Sequence, residues 1–195
     1  MRLWAESEAA KQAGLQAEVR IVRPLEDGSR FYRLGTWLYN AIQKTCPRLH
    51  QLYFPFLERA NLHRNAGSIL GSRGFRKIVR SFEPDVVFSV HAHLNHGYRD
   101  LAMQAMASKP PAFVIYCGEL ADGPGFSRHW INPEADLFVG PVEETCEAAR
   151  GRGMQASKTF RSGFLLRPSF YHKLPPDDEA SFVRRKWDLN PWLPL

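Results

Sequence analysis

The feature that most constrains this chain is a series of short apolar runs, each ended by a polar or glycine-bearing turn. They are Pro84-Asp-Val-Val-Phe-Ser-Val90, Ala112-Phe-Val-Ile-Tyr116 and Asp136-Leu-Phe-Val139. Near-continuous apolar character over so few residues is the signature of strands buried in a parallel sheet. Helical patterns follow the runs: 101–108, in a segment beginning near His96, and 143–150. A further short strand is expected at 159–162. Upstream, the pattern predicts a helix over 1–13 stopped by Gly14, a strand at 19–22, and helices over 32–44, 49–62 and 72–82, punctuated by Pro47, Gly67, Gly71 and Gly74. A terminal helix is expected over 177–187, followed by the start of a linker at 190–195. Strand alternating with helix implies an α/β fold, a Rossmann-like parallel sheet with helices on both faces. Ligands of such sheets sit beyond the carboxyl ends of the strands. The loops after Val90, Tyr116 and Val139 are therefore the first places to look for function.

Composition sets outer limits. With 195 residues, 44% hydrophobic and 24% charged, the chain can bury one sizeable core. No apolar run approaches the ~18–20 residues of a membrane-spanning helix. Residues 1–13 lack a continuous apolar core and make a poor signal peptide. Cys46, Cys117 and Cys146 are odd in number and widely spaced, which argues against a disulfide scaffold or a zinc site. The net charge of +6 is unevenly placed: residues up to Phe82 hold 14 basic against 6 acidic side chains, whereas the remainder is slightly acidic. Arg59, Arg64, Arg73, Arg76, Lys77 and Arg80 fall in a stretch with no acid at all. Such a stretch is either a solvated basic helix or a face for an anionic partner. No nucleic-acid-binding motif supports the charge.

Four clusters carry candidate chemistry. Ser89-Val-His91-Ala-His93-Leu-Asn95-His96 starts on a strand end and opens a helix. Neutral imidazoles and helix amides there suit hydroxyls or phosphates, a purely structural role for the histidines is the alternative, and no carboxylate pattern completes a metal site. After the next strand comes Cys117-Gly-Glu119-Leu-Ala-Asp122, leading to Arg128-His129-Trp130. Glu119 and Asp122 either serve as a general base towards a hydroxyl or cap turns, the latter favoured for Asp122 before Gly123, and Trp130 either packs on a ligand or fills the core. Gly163-Phe-Leu-Leu-Arg167-Pro-Ser-Phe170 reads as a fixed loop whose Arg167 binds an anion or ties down a linker. The aromatic stretch around Trp37 and Tyr39 fits either an interfacial helix on anionic lipid or a core helix. The chain has no GxGxxG, Walker, HExxH or GxSxG motif.

These motifs, in this order, resemble the amino-terminal domain of the monogalactosyldiacylglycerol synthase and diacylglycerol glucosyltransferase family, relatives of MurG-type transferases. The resemblance rests on Pro84-Asp85 leading to Ser89-x-His91-x-x-x-x-His96, on Trp130, Pro133 and Asp136 ahead of Pro141-x-Glu143, and on Gly163, Arg167, Pro168 and Phe170. It departs from the family where Cys117-Gly-Glu119 stands in place of a Thr-Asp stretch, and where the opening strand with its Gly-rich loop is missing. The resemblance implies the amino-terminal half of a GT-B glycosyltransferase, with residues 1–176 as the acceptor-side domain and 177–195 as a linker towards an absent carboxyl-terminal donor domain. It implies transfer of a hexose from a nucleotide-sugar (a UDP-hexose) to a diacylglycerol-type lipid, without a bound cofactor or metal, by a cytoplasmic protein peripheral to the membrane. His91, His96, Trp130 and Trp37 would meet the acceptor, Glu119 would be the base, Arg167 would lie at the interdomain hinge, and the six basic side chains would face anionic lipid. The chain alone is expected to be inactive. A non-catalytic anionic-lipid-binding module and half of a MurG-like transferase with a non-lipid acceptor are the alternatives.

Overall fold

The computed structural model describes residues 14, 18–45, 64–121 and 126–165. Four strands, β1 (Val86–Ser89), β2 (Ala112–Tyr116), β3 (Leu137–Gly140) and β4 (Thr159–Arg161), form one sheet in the order β1-β2-β3-β4. Every pairing is parallel, with Val86 opposite Ala112, Val114 opposite Leu137 and Phe138 opposite Thr159. The expected parallel α/β, Rossmann-like architecture is present, and all three apolar runs are strands. Since each strand lies beside its predecessor, their carboxyl ends line up along one edge of the sheet.

Five α-helices accompany the sheet among the described residues: α1 (Pro24–Gly28), α2 (Arg30–Thr45), α3 (Ser72–Phe82), α4 (Gly97–Ala105) and α5 (Glu143–Gly151). In α3 the apolar residues Phe75, Ile78, Val79 and Phe82 recur at helical spacing, with the basic side chains on the opposite side. Glu83, at φ 47°, closes α3 in the left-handed conformation, and Pro84 prevents its continuation. In α5, Glu143 and Glu144 stand in the first turn and Arg150 in the last, complementing the helix dipole.

The main core joins Phe113, Ile115 and Cys117 of β2 and its end to Phe138, Ala149, Trp130, Ile131 and Met154. Burial of each large apolar side chain here contributes about 1.5–3 kcal/mol. A second cluster packs Ile69, Tyr98 and Leu101 against Leu25, Tyr32 and Phe75. The Phe75 and Tyr98 rings meet edge-on at 5.1 Å, fixing α3 against α4. Gly140 ends β3 where a Cβ would come within 3.0 Å of Cys146 Sγ, so only glycine lets α5 start so close to the strand.

Two expectations differ from the structure. Residues 19–22 are not a strand, because no strand among the described residues pairs with them. The helix after His96 spans 97–105 and gives way to a turn before Ser108. The helices expected over 1–13, 49–62 and 177–187, the linker, and the division at 176 lie outside the described residues.

Candidate functional site

The sheet's carboxyl edge carries the site. β1 ends at Ser89, and the next residues turn through a 3-10 segment (Ala92–Leu94) into α4. His91 caps that segment, its Nδ1 accepting from the His93 N–H at 3.3 Å. Asn95 is fully buried and holds the turn together. Its Oδ1 accepts from Ser89 Oγ at 2.6 Å, and its Nδ2 donates to the Trp130 carbonyl at 2.9 Å and the His129 carbonyl at 3.4 Å. Asn132 Nδ2 returns a bond to the Asn95 carbonyl at 2.7 Å. Three of these hydrogen bonds lock the histidine turn to the loop carrying Trp130, and the fourth braces the turn itself. Such satisfied buried amides fix geometry, since a lost partner leaves a desolvated polar atom.

The same loop reaches Glu119. Trp130 Nε1 donates to Glu119 Oε2 at 2.7 Å, and the Glu119 carbonyl accepts from Thr145 Oγ1 at 3.3 Å. Glu119 itself is exposed, whereas the Trp130 ring is buried in the main core. The indole therefore supports the carboxylate from beneath and does not offer an open face. The histidine turn, Glu119 and Trp130, separate in sequence, are brought together as one constellation.

Four imidazoles crowd this constellation. Ring centroids lie 5.6 Å apart for His91 and His93, 5.1 Å for His93 and His129, and 6.3 Å for His96 and His129. Burial, then the Arg64 charge, then His129 hold His96 down to about 4. Burial also lowers His91. Both rings are neutral at pH 7 and can hydrogen-bond a hydroxyl or a phosphoryl oxygen. His96 Nε2 is buried and has no hydrogen-bond partner among the described residues. Among the described residues, no three His, Cys, Asp or Glu side chains are arranged to hold a metal ion. Burial pushes the Cys117 thiol up to about 12, chiefly by desolvation, so it is no nucleophile.

The remaining predicted residues lie elsewhere. Trp37 is 64% exposed on α2, on an outward face shared with Phe31, Leu34 and Leu38, and makes no described contact with the histidine turn. Arg73, Arg76, Lys77 and Arg80 line an open depression of about 450 Å³ with Ser81. Two of these cations also tie α3 to α4, Arg76 through Gln104 at 2.9 Å and Arg80 through the Ala105 carbonyl at 3.4 Å. Arg59 and Arg167 lie outside the described residues. Sequence reasoning did not single out Asn95, His129 or Asn132 as site residues. The available signal was their position in polar clusters beside His96 and Trp130, but polar residues in a loop read as turn formers until their burial is known.

No family model matches the chain. It is 23% identical over 159 residues to the chloroplastic monogalactosyldiacylglycerol synthase of Spinacia oleracea, a match covering 80% of this chain and 29% of that protein. The chain thus spans less than a third of the length of this curated relative. With the parallel sheet, the similarity supports a distant, glycosyltransferase-like relationship. Among the described residues, no helix is long and apolar enough to cross a membrane.

Proposed function

We propose that this chain forms the acceptor-side half of a GT-B glycosyltransferase that moves a hexose from a nucleotide-sugar to the hydroxyl of a diacylglycerol-type lipid. The observation that carries the reading is the junction at the strand ends, where Asn95 joins the histidine turn to Trp130 and Trp130 reaches Glu119. That is where an α/β sheet takes its ligand. In the proposed reaction the lipid hydroxyl oxygen bonds to the anomeric carbon as the bond to the diphosphate breaks. The hydroxyl proton passes to the Glu119 carboxylate, and the nucleoside diphosphate leaves. Neutral His91 and His96 orient the hydroxyl and its neighbouring polar groups. Trp130 acts by holding Glu119, and Arg167 is assigned to the interdomain hinge. Turnover in this reading also needs a lobe that binds the nucleotide-sugar.

Attachment to the cytoplasmic side of a membrane is part of the proposal. The exposed Phe31, Leu34, Trp37 and Leu38 of α2 suit the lipid interface, and the basic depression of Arg73, Arg76, Lys77 and Arg80 on α3 suits anionic headgroups; Arg59 and Arg64 are assigned the same role. These surfaces equally serve a non-catalytic lipid-binding module, and the two readings separate at the histidine turn. Titration with short-chain diacylglycerol, followed by NMR of the imidazoles, is expected to shift His91 and His96 on the transferase reading. Flotation is expected to recover the chain with phosphatidylglycerol-containing vesicles and much less with neutral ones. Lipid binding with silent imidazoles would leave the module reading. Equal flotation with both vesicle types would remove the basic face from either.

A further inference from the structure

Glu119 is held at both of its ends, and by different elements. Trp130, in the 3-10 turn Arg128–Trp130, donates its Nε1–H to the carboxylate at 2.7 Å. Thr145, in the first turn of α5, donates its hydroxyl to the Glu119 backbone carbonyl at 3.3 Å. The Cys117 thiol reaches the same carbonyl at 3.8 Å, but a thiol is a weak donor. Gly140 is what lets α5 arrive there: a Cβ at that position would lie 3.3 Å from both Cβ and Cγ2 of Thr145. The Cys117 N–H donates to the Val139 carbonyl at 2.9 Å, so the chain entering Glu119 runs beside the end of β3, close to where α5 begins. Thr145 is fully buried. Valine has nearly the same shape, so packing alone asks for no hydroxyl in this place, and a buried hydroxyl costs the fold unless it is bonded. The bond to Glu119 accounts for it.

We propose that Thr145 is a positioning residue for Glu119. Its hydroxyl fixes the backbone from which the carboxylate reaches out, and so sets where that carboxylate meets the Trp130 indole and the acceptor hydroxyl. Thr145 touches no reacting atom and acts only through Glu119. The proposal rests on the reading of Glu119 as the base, and it adds α5 to the parts of the fold that build the site. A base misplaced by about 1 Å loses on the order of 100-fold in rate, so a tie on its backbone bears directly on transfer.

The link is measured without substrate, on the full chain. The Trp130 Nε1–H reports where the carboxylate stands, and its NMR signal is assigned by its loss in Trp130→Phe. Thr145→Val is expected to move that signal towards the position of a free indole and to speed its exchange with solvent about tenfold or more. Thr145→Ala, which removes the hydroxyl and puts no methyl in its place, is expected to do the same. Thr145→Ser keeps the hydroxyl and is expected to restore the original signal. A purely structural role would lower the melting temperature of these variants and leave the indole unmoved. An unmoved indole in folded Thr145→Val or Thr145→Ala would therefore overturn the proposal. The same shift in Thr145→Ser would overturn it too, because lost packing would then be the cause. Silent imidazoles with diacylglycerol would remove the transferase reading and leave this link standing, whereas a silent indole would remove the link and leave that reading.

Discussion

The turn after β1 and the outward face of α2 and α3 use similar side chains, aromatic rings beside nitrogen bases, in opposite ways. In the turn, Asn95, His129 and Trp130 are buried and their polar atoms bonded, so the geometry exists before any ligand arrives. On α2 and α3, Phe31, Trp37, Arg73 and Lys77 stand in solvent. Burial thus separates a preorganised candidate site from an exposed surface. The first is fixed by satisfied buried hydrogen bonds, whereas exposed charges on the second contribute little to the fold.

Removing Asn95 should break this contrast most sharply. Asn95→Ala removes the partners of Ser89 Oγ and of two backbone carbonyls in a buried place. A loss of about 3–4 kcal/mol is expected, read from the urea midpoint, by the summed cost of buried unsatisfied groups. A loss below about 1 kcal/mol would mean that the turn and the Trp130 loop are held by something else.

Acid should come next. In the unfolded chain His96 returns to its ordinary value near 6.5, whereas in the fold it is held to about 4. The unfolded state therefore takes up the proton first as pH falls. The contribution of neutral His96 is complete above about pH 6.5 and is lost between there and pH 4, on the order of 1–2 kcal/mol once solvent screening of the half-buried ring is counted. Melting temperature against pH should fall across that window, and His96→Gln should flatten the slope. An identical slope in the variant would refute the assignment.

The smallest effect is expected at the open face. Trp37→Ser should change stability by no more than about 0.5 kcal/mol, because the ring packs on nothing described. A much larger loss in thermal unfolding would show that α2 buries its aromatic face and would erase the contrast.

Much of the fold was legible in the chain. The strands at Val86–Ser89, Ala112–Tyr116 and Leu137–Gly140 and the helix Ser72–Phe82 follow from local apolar spacing, and local spacing is what a sequence displays. The segment at 19–22 has the same local character yet forms no strand, because pairing depends on what lies beside it. The His91 and His96 cluster, Glu119 and Trp130 were visible as polar or aromatic residues at strand ends, but their meeting was not.

By itself the sequence determined the parallel α/β class, the positions of the three apolar strands, the charge asymmetry and the polar loops at the strand ends. All of these are one-dimensional patterns enforced by helix and strand periods. Only the tertiary structure decided that Trp130 serves Glu119 from within the core, that His129 joins His93 and His96, and that Trp37 faces outward. Each of these depends on burial and on contacts between residues far apart along the chain. Desolvation and hydrogen-bond pairing have no value there until the backbone has brought the partners together.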